Sequence, residues 1–385
     1  MNKLKSLYLE ILRISAAFYV FIFHVGSVTI GGERYFATTD FNDSLGLSNL
    51  GAHYFVVVFF VLSGFLITMS VNKPGVTIKS FFIARLGRLY SVLIPALIFS
   101  FVVSFVIIYS GSIPAELIKN NEHLVIRFFM NLLFLTQSWT LCSTPPLNDP
   151  FWSVTYEFIY YALIAVITLV KNSVFKWLVL GFIVLVGFPK VILLFPAWLA
   201  GSLLYFVSKK VSINKGVSAV LFLLSLAGII AVIINPELVP FTKNESDNQF
   251  LGFNLLFSWN YLADFVYSLL IAANIYFLFS VADSNLFKGE QKLITKLHDI
   301  LRLVGNCTYT LYLFHLPLLF LFASLLPYDR TNYLYPTGLI AATLLSVFII
   351  ARYTEWKVDF WRSVMERTFN LFSSLFKGNL KTSKI

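Results

Sequence analysis

An arginine and a histidine eleven positions apart, Arg13 and His24, lie inside one apolar run from Leu7 to Val28. The run is long enough to cross a bilayer as a helix. Eleven residues at about 100° each make three turns plus roughly 20°, so both side chains fall on one stripe. At about 1.5 Å per residue they are roughly 16 Å apart along the axis and cannot touch. A guanidinium and an imidazole on one buried face are costly in hydrocarbon, so they point to a polar cavity through much of the membrane. Histidine is the side chain best suited to take a proton near neutral pH. Glu10, one turn before Arg13, is placed to neutralise it.

Four further clusters could carry chemistry. HYFVVVFFVLSGFL (53–66) holds Ser63-Gly64 within a span, which reads either as small-residue packing or as backbone that a ligand approaches closely. FFIARLGRLYSVLIP carries Arg85 and Arg88 on one helical face, either as membrane anchors or as a clamp for phosphates. FWSVTYEFIYYAL buries Glu157, and a carboxylate at membrane depth needs a partner or a task, here a network with Arg13 or His24. Trp152 and Tyr156 read as belt residues at the outer edge of that helix. GNCTYTLYLFHLPLL sets Tyr312 and His315 one turn apart. None of these clusters has metal-ligand spacing, so no metal is expected, and there is no Walker loop, dinucleotide fingerprint or nucleophile elbow.

The elements that must position these groups are membrane helices. Hydrophobic residues make up 58% of the 385 and charged ones only 12%, with a mean hydropathy of +0.79, which excludes an ordinary soluble domain. Spans are expected at about 7–28, 53–71, 89–109, 151–170, 174–189, 191–208, 217–235, 261–282, 303–326 and 337–355. Ile126 to Trp139 is too short to span and reads as a re-entrant or interfacial helix. The first run resembles a signal peptide, but Arg13 interrupts it and no A-x-A-like site follows, so it is read as a retained helix. With the N-terminus inside, 22 of the 29 Lys and Arg fall on the inner side and six outside, while ten of the 19 acids fall in outer loops. That bias sets both termini inside. The net charge of +10 is then explained by anchoring to anionic membrane lipid, with no nucleic acid required. The expected architecture is all-α, about ten transmembrane helices around a polar central cavity, as one domain over 1–357 with a basic cytoplasmic tail over 358–385.

In this order the pieces resemble the integral-membrane acyltransferase-3 family, of the bacterial carbohydrate O-acetyltransferase type. The matching features are Arg13 with His24 eleven positions on, FFVLSGFL (59–66), Arg85-x-x-Arg88 followed by Pro95, FWSVTYEF (151–158) and YTLYLFHLP (309–317). The resemblance covers roughly residues 5 to 357. It implies transfer of an acetyl group from cytosolic acetyl-CoA to a hydroxyl of a cell-surface or lipid-linked glycan, in the cell membrane. It gives the histidine matching His24 the role of base or acyl relay, and the arginine matching Arg13 that of orienting the donor. Arg85 and Arg88 would hold the coenzyme's phosphates, with Ser63 and Gly64 beside them. Glu157 joins Arg13 and His24 as a candidate catalytic residue, and Trp152, Ser153, Tyr312 and His315 are candidate substrate-binding residues. Some members fuse an esterase-like domain after the membrane part, and none is expected in the short stretch after the last span. The competing readings are a transporter or flippase of a lipid-linked saccharide, and a membrane scaffold. The transporter reading lacks the internal repeat many transporters show.

Overall fold

The computed structural model describes residues 2–30, 33–36, 45, 49–243, 248–282, 289–326 and 334–382. Of the charged residues counted above for orientation, Lys288, Arg330 and Lys384 and the acids Asp40, Asp43, Glu245, Asp247 and Asp329 lie outside the described residues. The first half comprises α1 (Lys3–Ser27), α2 (Asn49–Val71), α3 (Ile78–Tyr109), a short α4 (Leu124–Leu132), α5 (Trp152–Leu169) and α6 (Ser173–Gly187). The second half comprises α7 (Lys190–Lys210), α8 (Lys215–Ile234), α9 (Tyr261–Ala282), α10 (Gln291–Gly305), α11 (Thr308–Leu325), α12 (Leu334–Tyr353) and α13 (Val358–Thr382). Two small antiparallel hairpins, β1 (Thr29–Ile30) with β2 (Glu33–Arg34) and β3 (Gln249–Phe250) with β4 (Phe253–Asn254), decorate the loops. Nine helical segments among the described residues are long and apolar enough to cross a membrane, and α6 is a shorter apolar helix. The protein is an all-α multi-pass membrane protein, because a spanning chain must satisfy every backbone polar group within itself.

Two expected boundaries shift, each for a physical reason. Helix α3 begins eleven residues before the apolar run at 89, because Thr77 and Ser80 form a capping box that starts the helix in polar sequence. Arg85 and Arg88 therefore ride on a helix and not on a loop. The span expected at 303–326 is divided at Asn306 and Cys307 into α10 and α11. At the break Gly305 lies over the Glu10–Arg13 pair, where any Cβ would strike the Glu10 carboxylate and the Arg13 guanidinium. Within the stretch expected as a tail, residues 358–382 form the helix α13, packed along α3. The short helix α4 occupies the start of the segment expected to be re-entrant or interfacial.

The core gathers where α1 meets α2, α10 and α11, and where α3 meets α11. Helices α2 and α7 form the most extensive contact, with α7 in turn against α9 and α9 against α8. Pro317 lies inside α11 and cannot donate to the Leu313 carbonyl one turn back. Asn148 fills that gap: its Nδ2 donates to Leu313 O at 2.8 Å and to Ser100 Oγ at 2.9 Å. The loop before α5 is thereby fixed against α11, which sets the FWS segment beside Tyr312.

Candidate active site

One cavity, and a histidine pair adjoining it along α11, hold the groups singled out from the sequence. The cavity is lined by Arg13, Ser63, Arg85, Arg88, Glu157 and Tyr309, with Ser153, Tyr161 and Tyr312 completing its wall and Phe59, Phe60 and Leu66 supplying an apolar side. Arg13 Nη2 is paired with Glu10 Oε2, so the one-turn ion pair forms. Arg85 Nη2 donates to Ser70 Oγ at 3.2 Å. Glu157 accepts a hydrogen bond from the Tyr161 hydroxyl, one turn further along α5. The third carboxylate near these arginines is Glu355, from the turn between α12 and α13. Its Oε2 accepts from Thr310 N at 3.0 Å and Thr310 Oγ1 at 3.1 Å, and it lies within electrostatic reach of Arg13 and Arg88. Arg13, Arg85 and Arg88 are thus offset by Glu10, Glu157 and Glu355, which keeps a deeply placed charge cluster near neutral. Among the described residues no hydrogen bond ties the Arg88 guanidinium, which lines the cavity.

The second group is a histidine pair, with His24 at the far end of α1. His24 Nδ1 lies 2.8 Å from Val20 O, and His315 Nδ1 lies 3.0 Å from Leu311 O. A carbonyl only accepts, so both Nδ1 atoms carry the proton and both Nε2 atoms carry a lone pair in the neutral rings. His315 Nε2 stands 3.2 Å from His24 Nδ1 and shares that proton. His24 Nε2 is left as a lone pair with no hydrogen-bond partner among the described residues. The link between the cavity and the histidine pair runs through Tyr312, which lines the arginine cavity, lies 2.9 Å from the Ser153 hydroxyl, and has its ring 6.3 Å from that of His315. Asp149, just before α5, is also within electrostatic reach of His24, with Oδ1 held by Asn120 Nδ2 at 3.3 Å and Thr144 Oγ1 at 3.1 Å.

The structure brings together Arg13, Arg85, Arg88, Ser63, Glu157, Ser153 and Tyr312 in one cavity and adjoins His315 and His24 to it. It does not bring in Gly64, whose Cα faces the Trp198 carbonyl of α7. Trp152 and Tyr156 are not belt residues. Both are buried, Trp152 stacked on Phe257 at 4.6 Å and Tyr156 on Phe60 at 6.2 Å, because distant segments cover them. Sequence reasoning missed Tyr161, Glu355 and Asp149. The four-residue step from Glu157 to Tyr161 on one helix was a usable signal. Nothing local marked Glu355.

The chain matches the model of an acyltransferase domain over residues 6–352. None of the curated proteins and none of the solved structures compared with it matches. With the match spanning nearly the whole bundle that carries the arginine cavity and the histidine pair, the chain belongs to the acyltransferase-3 family and is a membrane acyltransferase.

Proposed function

We propose that the protein is an O-acetyltransferase that takes acetyl-CoA from the cytosol and esterifies a hydroxyl of a cell-surface or lipid-linked glycan. The observation that carries this reading is His24, whose Nδ1 is tied down while Nε2 is left as a base, adjoining a cavity with three arginines. The charge bias of the loops turns the arginine cavity toward the cytosol, where a large anionic donor is drawn in. Arg85 and Arg88 hold the donor's phosphates, and Arg13 holds the part of the arm next to them. The roughly 16 Å between Arg13 and His24 along α1 is then the span of the donor's flexible arm, with the apolar wall of α2 beside it.

At the histidine end, His24 Nε2 removes the proton of the acceptor hydroxyl as its oxygen bonds to the thioester carbonyl carbon. The carbon–sulfur bond breaks, the histidine returns the proton to the departing thiolate, and the products are the acetyl ester and free coenzyme A. The carbonyl oxygen gains charge in the transition state, and we assign the Ser153 and Tyr312 hydroxyls, which line the cavity, to offset it. Glycan mass in cells carrying His24→Ala tests the reading. Loss of one acetyl increment with the polymer still exported supports it. Unaltered acetylation overturns it, and loss of export points to a transporter.

A further inference from the structure

Three buried polar atoms on the wall of the arginine cavity have no hydrogen-bond partner among the described residues: Arg13 Nε, Arg85 Nε and the Tyr309 hydroxyl. Each can donate, and a buried donor left unsatisfied costs about 1–3 kcal/mol. The neighbouring carboxylates do not serve them, since Glu10 pairs with Arg13 Nη2, Glu157 accepts from Tyr161, and Glu355 accepts from Thr310. What satisfies such a set is a ligand bringing acceptor oxygens, and two guanidinium groups favour an anionic one.

We infer that Tyr309 donates a hydrogen bond to a phosphate oxygen of the acyl donor held by Arg85 and Arg88, which line the same cavity. The inference rests on the proposed coenzyme A thioester as donor and adds a residue to its binding site. Tyr309 precedes His315 by six residues on α11, about 9 Å along the helix. It therefore sits too far from the histidines to touch the reacting carbonyl. Its place is at the phosphate end, where Arg88 also faces the cavity.

Tyr309→Phe keeps the ring and removes only the hydroxyl. Calorimetry on purified full-length protein, with coenzyme A and with pantetheine as probes, reads the contact. Coenzyme A affinity should fall roughly tenfold or more, the value of a lost hydrogen bond to a charged group, while pantetheine affinity stays the same. Equal loss for both probes, or no loss for coenzyme A, overturns the inference. Failure of the unaltered protein to bind coenzyme A instead overturns the donor reading itself. Thermal melting without ligand is the second measurement. Because the hydroxyl has no partner among the described residues, the variant should melt at or above the parent temperature, and a destabilised or unfolded variant overturns the inference as well.

Discussion

His315 Nε2 stands 3.2 Å from His24 Nδ1, and each ring's own Nδ1 faces the carbonyl one turn back on its helix. His315 thus spends its only lone pair on its neighbour and has none to offer a substrate proton. When His24 takes a proton at Nε2, its Nδ1–H becomes part of a cation, and donation to His315 becomes a stronger, charge-assisted bond. His315 thereby orients the base and stabilises its protonated form. We expect His315→Ala to lower kcat about 100-fold, the lower end of what general base catalysis contributes, with coenzyme A affinity unchanged. Steady-state acetyl transfer on the purified variant checks this, and an unaltered kcat would reduce His315 to packing.

Glu355 reaches the arginine cluster from a turn beyond the last span, and its charge opposes those of Arg13 and Arg88. Glu355→Gln keeps an oxygen for Thr310 but removes the charge, leaving the cluster one positive charge in excess. An anionic donor should then bind more tightly, by about 1.7 kcal/mol, more than tenfold, for a charge about 10 Å away at an effective dielectric near 20. The uncompensated arginines should also lower the melting temperature. Titration with coenzyme A reads the first effect, and weaker binding would show that Glu355 acts on the donor in some way other than charge balance.

Asp264 is fully buried on α9, and both its oxygens lie 2.9 Å from His53 Nε2 on α2. This pair does not line the arginine cavity and ties α2 to α9. Removing one partner of such a pair costs about 3–5 kcal/mol, because a buried charge loses its compensation. His53→Ala should therefore melt well below the parent, and adding Asp264→Asn should recover part of the loss. No recovery in the double variant would mean that packing of the ring, and not the charge, is what His53 contributes.

The spans were legible because hydrocarbon permits only continuous apolar helices, so length and hydropathy locate them. The Glu10–Arg13 pair was legible because one helical turn separates the two. Charge spacing on α3 likewise put Arg85 and Arg88 on one face, and they line one cavity with Arg13. What stayed hidden depends on partners far away in sequence. Trp152 read as a belt residue until Phe257 was found stacked on it. Glu355 sits in a polar turn like any other until the fold carries it back to Thr310. The partner of His24 was a second histidine 291 positions away, and no local spacing announces that.

Gly64 shows how a small residue next to a site can serve the fold instead. A Cβ on Gly64 would fall on the Trp198 carbonyl of α7, and one on Gly201 of α7 would fall on the Val61 carbonyl of α2. The two helices therefore touch backbone to backbone at two reciprocal points, and the Thr68 hydroxyl donates to Ser202 Oγ at 2.7 Å one turn further on. Close approach through small residues is a principal means of joining helices in lipid, where no hydrophobic force separates protein from solvent. Ala at either position must push the helices apart, at a cost of about 1–3 kcal/mol as in other overpacked interiors. Gly64→Ala and Gly201→Ala should each lower the melting temperature in detergent by similar amounts. The double variant should lose less than the sum, because one separation relieves both clashes. Coenzyme A affinity of the folded fraction should stay at the parent value, since Gly64 faces α7 and not the cavity. Weakened coenzyme A binding at an unchanged melting temperature would reverse the assignment and make Gly64 a point of ligand approach.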